Sequence, residues 1–204
     1  SRTVNASNLT GYTAIGTGSD GYMGTFGWPG SISIIGLDAA KGSDGNVQSV
    51  EHAGIFSQIG ASGTVKNVNI YSSTFDGTET AGAVAGVNEG TIAQVNTFGN
   101  TISSQGSAGG IAGINRNGDA AFDEAAGAVD FKRGIYDVEA VGSVIAKGGE
   151  AIAGGIAGTN EADGVVDFSY SNSAVTSDGT ASSGGLGGVV GYNTGACTVS
   201  IPWA

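Results

Sequence analysis

Eight residues recur five times along the chain with little change: an alanine or leucine, one or two glycines, small aliphatics, a further glycine and, in most copies, asparagine. The copies are Ala53–Gly60, Ala81–Asn88, Ala108–Asn115, Ala153–Asn160 and Leu186–Asn193. Their second-position glycines, at 54, 82, 109, 154 and 187, are separated by 28, 27, 45 and 33 residues. A repeat period between roughly 20 and 50 residues marks a stacked architecture, in which a unit buries its apolar face only against its neighbours. The spacing therefore constrains the fold far more tightly than it constrains any activity.

Each unit carries short β-prone runs and no helical periodicity. After the glycine motif comes a turn, then a segment such as Thr64–Ile70, Thr91–Val95, Val165–Tyr170 or Cys197–Ile201. These runs are rich in β-branched residues and bounded by Gly, Asn or Asp, and none spaces its apolar residues as a helix would. Strands are predicted, with little or no helix. Parallel repetition of two or three strands per unit adds one rung per coil at the strand spacing of about 4.8 Å. The expected fold is all-β: a right-handed parallel β-helix, or β-solenoid, of about 27-residue coils with one larger insertion.

In such a coil the parts of the motif divide the work. Ile55, Val84, Ile111, Ile156 and Val189 form an interior aliphatic ladder. The glycines allow sharp bends and close approach of the next coil. Asn88, Asn115, Asn160 and Asn193 are expected at a corner, in the left-handed conformation, bonded to their own turn and to one another up the stack.

A single domain over 1–204 is expected, with 1–52 as an opening coil and cap and 53–204 as the five repeats. The 45-residue step places an insertion at about 116–136, and insertions in repeat proteins map to a loop on one face. Within it, 120–128 is the one stretch of helix-compatible composition. Collagen is excluded because the 39 glycines have no every-third spacing and only two prolines occur. A disordered glycine-rich chain is excluded by 40% hydrophobic against 12% charged residues.

A formal charge of −11, with no basic cluster to offset it, repels nucleic acid and anionic membranes. No segment reads as a membrane span, since the uncharged stretch 179–204 is too rich in Gly, Ser and Thr. The lone Cys197 is expected as a small core residue and rules out an internal disulfide. The chain opens at Ser1 without a charged-then-apolar leader, so either a signal peptide has been removed or the sequence is part of a longer one. Asn5 and Asn8 head formal glycosylation tripeptides.

Gly154–Asn160 and Gly187–Asn193, together with Gly63-Thr64-Val65 and Gly90-Thr91-Ile92, resemble the GLUG repeat, a Gly-Gly-Leu-Val-Gly-x-Asn core followed by a strand opening in Gly-Thr-Ile/Val. Gly24-Thr25-Phe26 and Ile32–Leu37 resemble the coil that precedes such repeats. The resemblance spans roughly 22–201 and departs at Ala53–Gly60 and across 116–136. It implies a right-handed β-helix-like module of a bacterial or archaeal secreted or cell-surface protein, adhesin-like, and it carries over no catalytic residue.

The rival class is a carbohydrate-active β-helix enzyme, a polysaccharide lyase or hydrolase. Paired acids occur at Asp123/Glu124, Asp137/Glu139 and Asp163/Asp167, near the basic residues Arg116, Lys132 and Arg133. A glycosidase needs two such carboxylates facing one another across a cleft. His52 is the only histidine, so sites built on two or more histidines and a catalytic triad have little to draw on. No cofactor is expected beyond a loosely held Ca²⁺ in the acidic segment 119–139. A carbohydrate-binding module would instead use Tyr71, Tyr136, Tyr170 or Tyr192.

The leading expectation is a non-enzymatic extracellular structural protein, either an adhesin module or a filament subunit stacking through its ends or a terminal strand. Its partners would be further copies of itself or a cell-surface or matrix polymer. The expected contact residues lie where the repeat breaks: Tyr22, Phe26 and Trp28 near the start, Asp123, Glu124 and Arg133 in the insertion, and Trp203 at the end.

Overall fold

The computed structural model describes residues 1–27, 29–40, 44, 46, 48, 50–117, 132–179 and 184–197. Among them the regular structure is all strand, without helix, and the strands pair in parallel. The second half of each motif is one strand of a five-stranded sheet, in the spatial order Val190–Asn193, Ala157–Asn160, Ala112–Asn115, Ala85–Asn88, Phe56–Ile59. Its register joins equivalent motif positions. Asn88 pairs with Asn115, Asn115 with Asn160 and Asn160 with Asn193. The first copy is one residue shorter between its two strands: Ala53 pairs with Ala81, yet Phe56 pairs with Ala85. Ile59, rather than Gly60, therefore occupies the place of the asparagine.

The remaining strands belong to a fifteen-stranded sheet. Its middle is built by Thr64–Tyr71, Thr91–Ser104 and Gly134–Ala146, lying side by side. These are longer than the short runs read from sequence because single left-handed residues bend them without ending their pairing. One column of such bends holds Gly27, Asn67, Gln94, Asp137 and Phe168, with φ of 95°, 56°, 55°, 50° and 48°. A second holds Gly36, Ser72 and Gly99, at 72°, 49° and 65°. In Gly134–Ala146 the second bend is absent. Val141 pairs with Phe98 and Gly142 with Asn100, so Gly99 is skipped and the register shifts there. The four motif asparagines are not among the positive-φ residues, so the corner conformation expected of them is carried instead by these other side chains. The expected insertion is also corrected at its far end: residues 134–136 are strand, paired with 91–93.

A further row comprises Val50–Ala53, Thr74–Gly82, Ser107–Gly109, Ile152–Gly154 and Leu186–Gly187, each paired to the next. It meets the five-stranded sheet through the motif glycines. A Cβ on Gly109 would strike the Ala112 carbonyl oxygen, and one on Gly154 the Ala157 carbonyl oxygen, so the bend between the two strands is closed to any larger residue.

Inward-facing side chains stack in register. Phe26, Val65, Ile92, Ile135 and Val166 form one column. Phe75, Ile102 and Val144 form another, and Ile55, Val84, Ile111, Ile156 and Val189 a third, at the bend between the motif strands. The central members are fully buried in one continuous hydrophobic cluster, each contributing about 1.5–3 kcal/mol. Burial thins at both ends, where Val4, Leu9 and Ile15 are exposed on one side and Leu186 and Tyr192 on the other.

Candidate functional site

The recurring asparagines build a ladder through the core. Asn88 Nδ2 donates to Asn115 Oδ1 (2.8 Å), Asn115 Nδ2 to Asn160 Oδ1 (2.7 Å) and Asn160 Nδ2 to Asn193 Oδ1 (2.8 Å). The same amides reach backbone carbonyls beside the ladder: Asn115 donates to Val165, Asn160 to Gly164 and Asn193 to Gly195. At the top, where Ile59 replaces an asparagine, Asn88 Oδ1 accepts from the Gly90 N–H instead. Asn88, Asn115 and Asn160 are fully buried, and no buried side-chain N or O among the described residues lacks a partner. The ladder is structural: its polar groups satisfy one another and the backbone, leaving nothing aimed outward for chemistry.

One residue beyond the ladder, Arg116 Nε lies 2.8 Å from Glu89 Oε1 and its Nη1 lies 3.7 Å from Glu161 Oε2. The guanidinium thereby links three successive repeats through two carboxylates. Of the other insertion residues, Asp123 and Glu124 lie outside the described residues, as does most of the acidic segment considered for Ca²⁺. Arg133 is half-buried beside the long strand, its carbonyl accepting from the Tyr136 hydroxyl at 3.1 Å.

The end of the stack nearest the N-terminus has a different character. Among the described residues Arg2–Asn5 is exposed along its length and paired on one side, to Ile32–Ile35. Beneath it opens an apolar cavity of about 340 Å³ lined by Val4, Leu9, Ile15, Phe26, Ile34 and Leu37, among others. Tyr22 and Phe26 are half-buried, their rings against Phe56 at 4.8 and 5.4 Å. Tyr12 closes the cavity's inner wall, donating its hydroxyl to the Ile55 carbonyl. Burial pushes the Tyr12 phenol up to about 12. Trp28 and Trp203 lie outside the described residues. The exposed apolar residues at this rim, Val4, Leu9 and Ile15, carried no signal in sequence, because each stands alone among small or polar neighbours until the fold gathers them.

No protein-family model, curated protein or solved structure matches the chain. The outer face of the long strands offers a second surface. Asn67, Asn69, Gln94, Asn96 and Asp137 line a polar cleft of about 280 Å³. Tyr71 and Phe98, two residues further along their strands and so on the same face as Asn69 and Asn96, stack at 5.8 Å with 14° between their planes. Tyr136 is buried, whereas Tyr170 and Tyr192 are exposed. Among the described residues one group of histidine and carboxylate ligand atoms converges, Glu51, His52 and Glu79. No helix of the described residues is long and apolar enough to cross a membrane.

Proposed function

We propose that the chain is a right-handed β-solenoid that works as an extracellular structural module of the GLUG-repeat kind, a filament subunit assembling end to end. Support for the solenoid comes from the register, in which equivalent motif positions pair from one repeat to the next in both sheets. Parallel strands joined by crossovers within one sheet are nearly always right-handed. The observation that carries the functional reading is the open N-terminal end: an unpaired parallel edge, Arg2–Asn5, over an apolar cavity rimmed by exposed Val4, Leu9 and Ile15. An edge of this kind templates another strand, and exposed apolar surface beside it favours burial against a partner. Among the described residues the opposite end also finishes in strand edges, at Leu186–Gly187 and Val190–Asn193, with Leu186 and Tyr192 exposed. Two different ends meeting head to tail form a heterologous contact, which propagates as an open filament when its rotation does not close a ring.

Static light scattering across a concentration series tests this. The expected result is apparent mass rising with concentration, abolished by Val4→Lys with far-UV circular dichroism unchanged. A chain that stays monomeric throughout overturns the filament reading.

A second reading is favoured by the stacked Tyr71–Phe98 pair beside the polar cleft, an arrangement suited to a sugar ring and its hydroxyls. In this reading the module is an adhesin that binds a cell-surface or matrix glycan. Calorimetric titration with soluble polysaccharides, lost in Tyr71→Ala, would support it; no binding, or binding indifferent to Tyr71, would remove it.

A further inference from the structure

The strand Val50–Ala53 pairs with Thr74–Gly82 through an irregularity: Val50 sits opposite Gly77 but His52 sits opposite Thr80. Glu51 alone therefore faces the pair Thr78 and Glu79. A bulge of this kind re-aims side chains. Here it brings one ligand atom each from Glu51, His52 and Glu79 to within 4.8 Å of one another. Glu51 Oε1 is already 3.7 Å from His52 Nε2.

The imidazole is held for this geometry. His52 Nδ1 lies 2.9 Å from the hydroxyl of Thr80, which is buried, and the His52 Cβ packs over Gly86, where any added Cβ would strike it. In the tautomer that donates Nδ1–H to Thr80, the lone pair of Nε2 is free to bind a cation. Orientation of a ligating histidine through its other nitrogen is a common feature of metal sites. Glu51 and His52 also line a cavity of about 330 Å³ with Tyr12, Thr13 and Gln48, leaving room for water to complete a coordination shell.

We propose that Glu51, His52 and Glu79 form a binding site for a borderline first-row divalent cation such as Zn²⁺. One imidazole nitrogen and two carboxylate oxygens suit Zn²⁺, which takes His and Glu ligands at about 2.0–2.2 Å and accepts four-coordination with water. Ca²⁺ asks for six to eight oxygens, and Mg²⁺ keeps its waters, so neither matches a site with a nitrogen donor at its centre. The chain's charge of −11 raises the local concentration of any cation. The ion would bridge Val50–Ala53, the outermost strand of its row, to the strand beside it. Binding therefore fastens the first coil to the second, independently of whether the ends assemble.

The test uses the full chain and Zn²⁺ alone. Because His52 is the only histidine, its ring protons are an unambiguous reporter by nuclear magnetic resonance. The expected result is a His52 shift saturating at one Zn²⁺ per chain, accompanied by a rise in Tm, with Ca²⁺ at the same concentration producing neither. Glu79→Gln, at an exposed side chain, should weaken binding at least about 10-fold, the smallest loss typical of removing even an outer-shell partner, and His52→Ala at least as much. Zn²⁺ affinity unchanged in Glu79→Gln, a His52 signal indifferent to Zn²⁺, or equal competition by Ca²⁺ would overturn the site and leave only a diffuse acidic surface.

Discussion

Replacing Asn115 with alanine probes the ladder at its most enclosed rung. The substitution takes from Asn160 Oδ1 the donor at 2.7 Å, from Asn88 Nδ2 the acceptor at 2.8 Å and from the Val165 carbonyl the donor at 3.0 Å. Asn88 Nδ2 keeps only long contacts, 3.3 and 3.5 Å, to the Gly90 and Gly134 carbonyls. At about 1–3 kcal/mol per buried polar group that loses a good partner, Asn115→Ala should cost about 3 kcal/mol. Asn193→Ala is the internal control. Asn193 is exposed, and Asn160 Nδ2 retains the Gly164 carbonyl at 3.1 Å, so the loss there should be about 1 kcal/mol or less. Urea titration followed by far-UV circular dichroism measures both, with an unchanged m value showing that stability alone moved. In thermal melts the central variant should lose roughly 6–12 °C, since 1 kcal/mol is worth about 2–4 °C in a chain of this size. Equal losses for the two variants would refute the claim that buried, mutually satisfied asparagines hold successive repeats together.

Other outcomes follow from single positions. Gly154→Ala should destabilise severely because its Cβ meets the Ala157 carbonyl, whereas Gly188→Ala, with open space around it, should be neutral by the same urea assay. Phe168 sits at φ 48° and is 43% exposed, so Phe168→Gly should relieve left-handed strain of about 1–2 kcal/mol, offset by about 0.5–1 kcal/mol of chain entropy, and raise Tm slightly. Tyr12, raised to about 12, stays neutral in the folded state after its unfolded counterpart ionises. Its contribution to stability is therefore present below pH 10 and lost as pH rises through 10 to 12. Urea titrations of Tyr12→Phe should show a weaker decline across that window.

What the sequence revealed and what it hid divide along a physical line. The motif was legible because every copy meets the same demands, closed bends at Gly109 and Gly154 and a shared hydrogen-bond ladder at the asparagines, and those demands admit few residue types. The column of bends at Gly27, Asn67, Gln94, Asp137 and Phe168 was hidden because its members share neither size nor polarity. For the same reason the long strands read as short ones. Ile59 taking the asparagine's place depended on a one-residue deletion that only pairing exposes. The Glu51–His52–Glu79 group joins residues about 28 positions apart through a bulge, which leaves no local pattern. The apolar rim of Val4, Leu9 and Ile15 likewise comes into being only when separate loops converge.

The central proposal is a solenoid that propagates through its ends, and electron microscopy of the concentrated protein in negative stain tests it most directly. The account predicts unbranched filaments one molecule wide, lengthening with concentration and absent in Val4→Lys. Uniform, isolated particles of single-chain size at every concentration would contradict it.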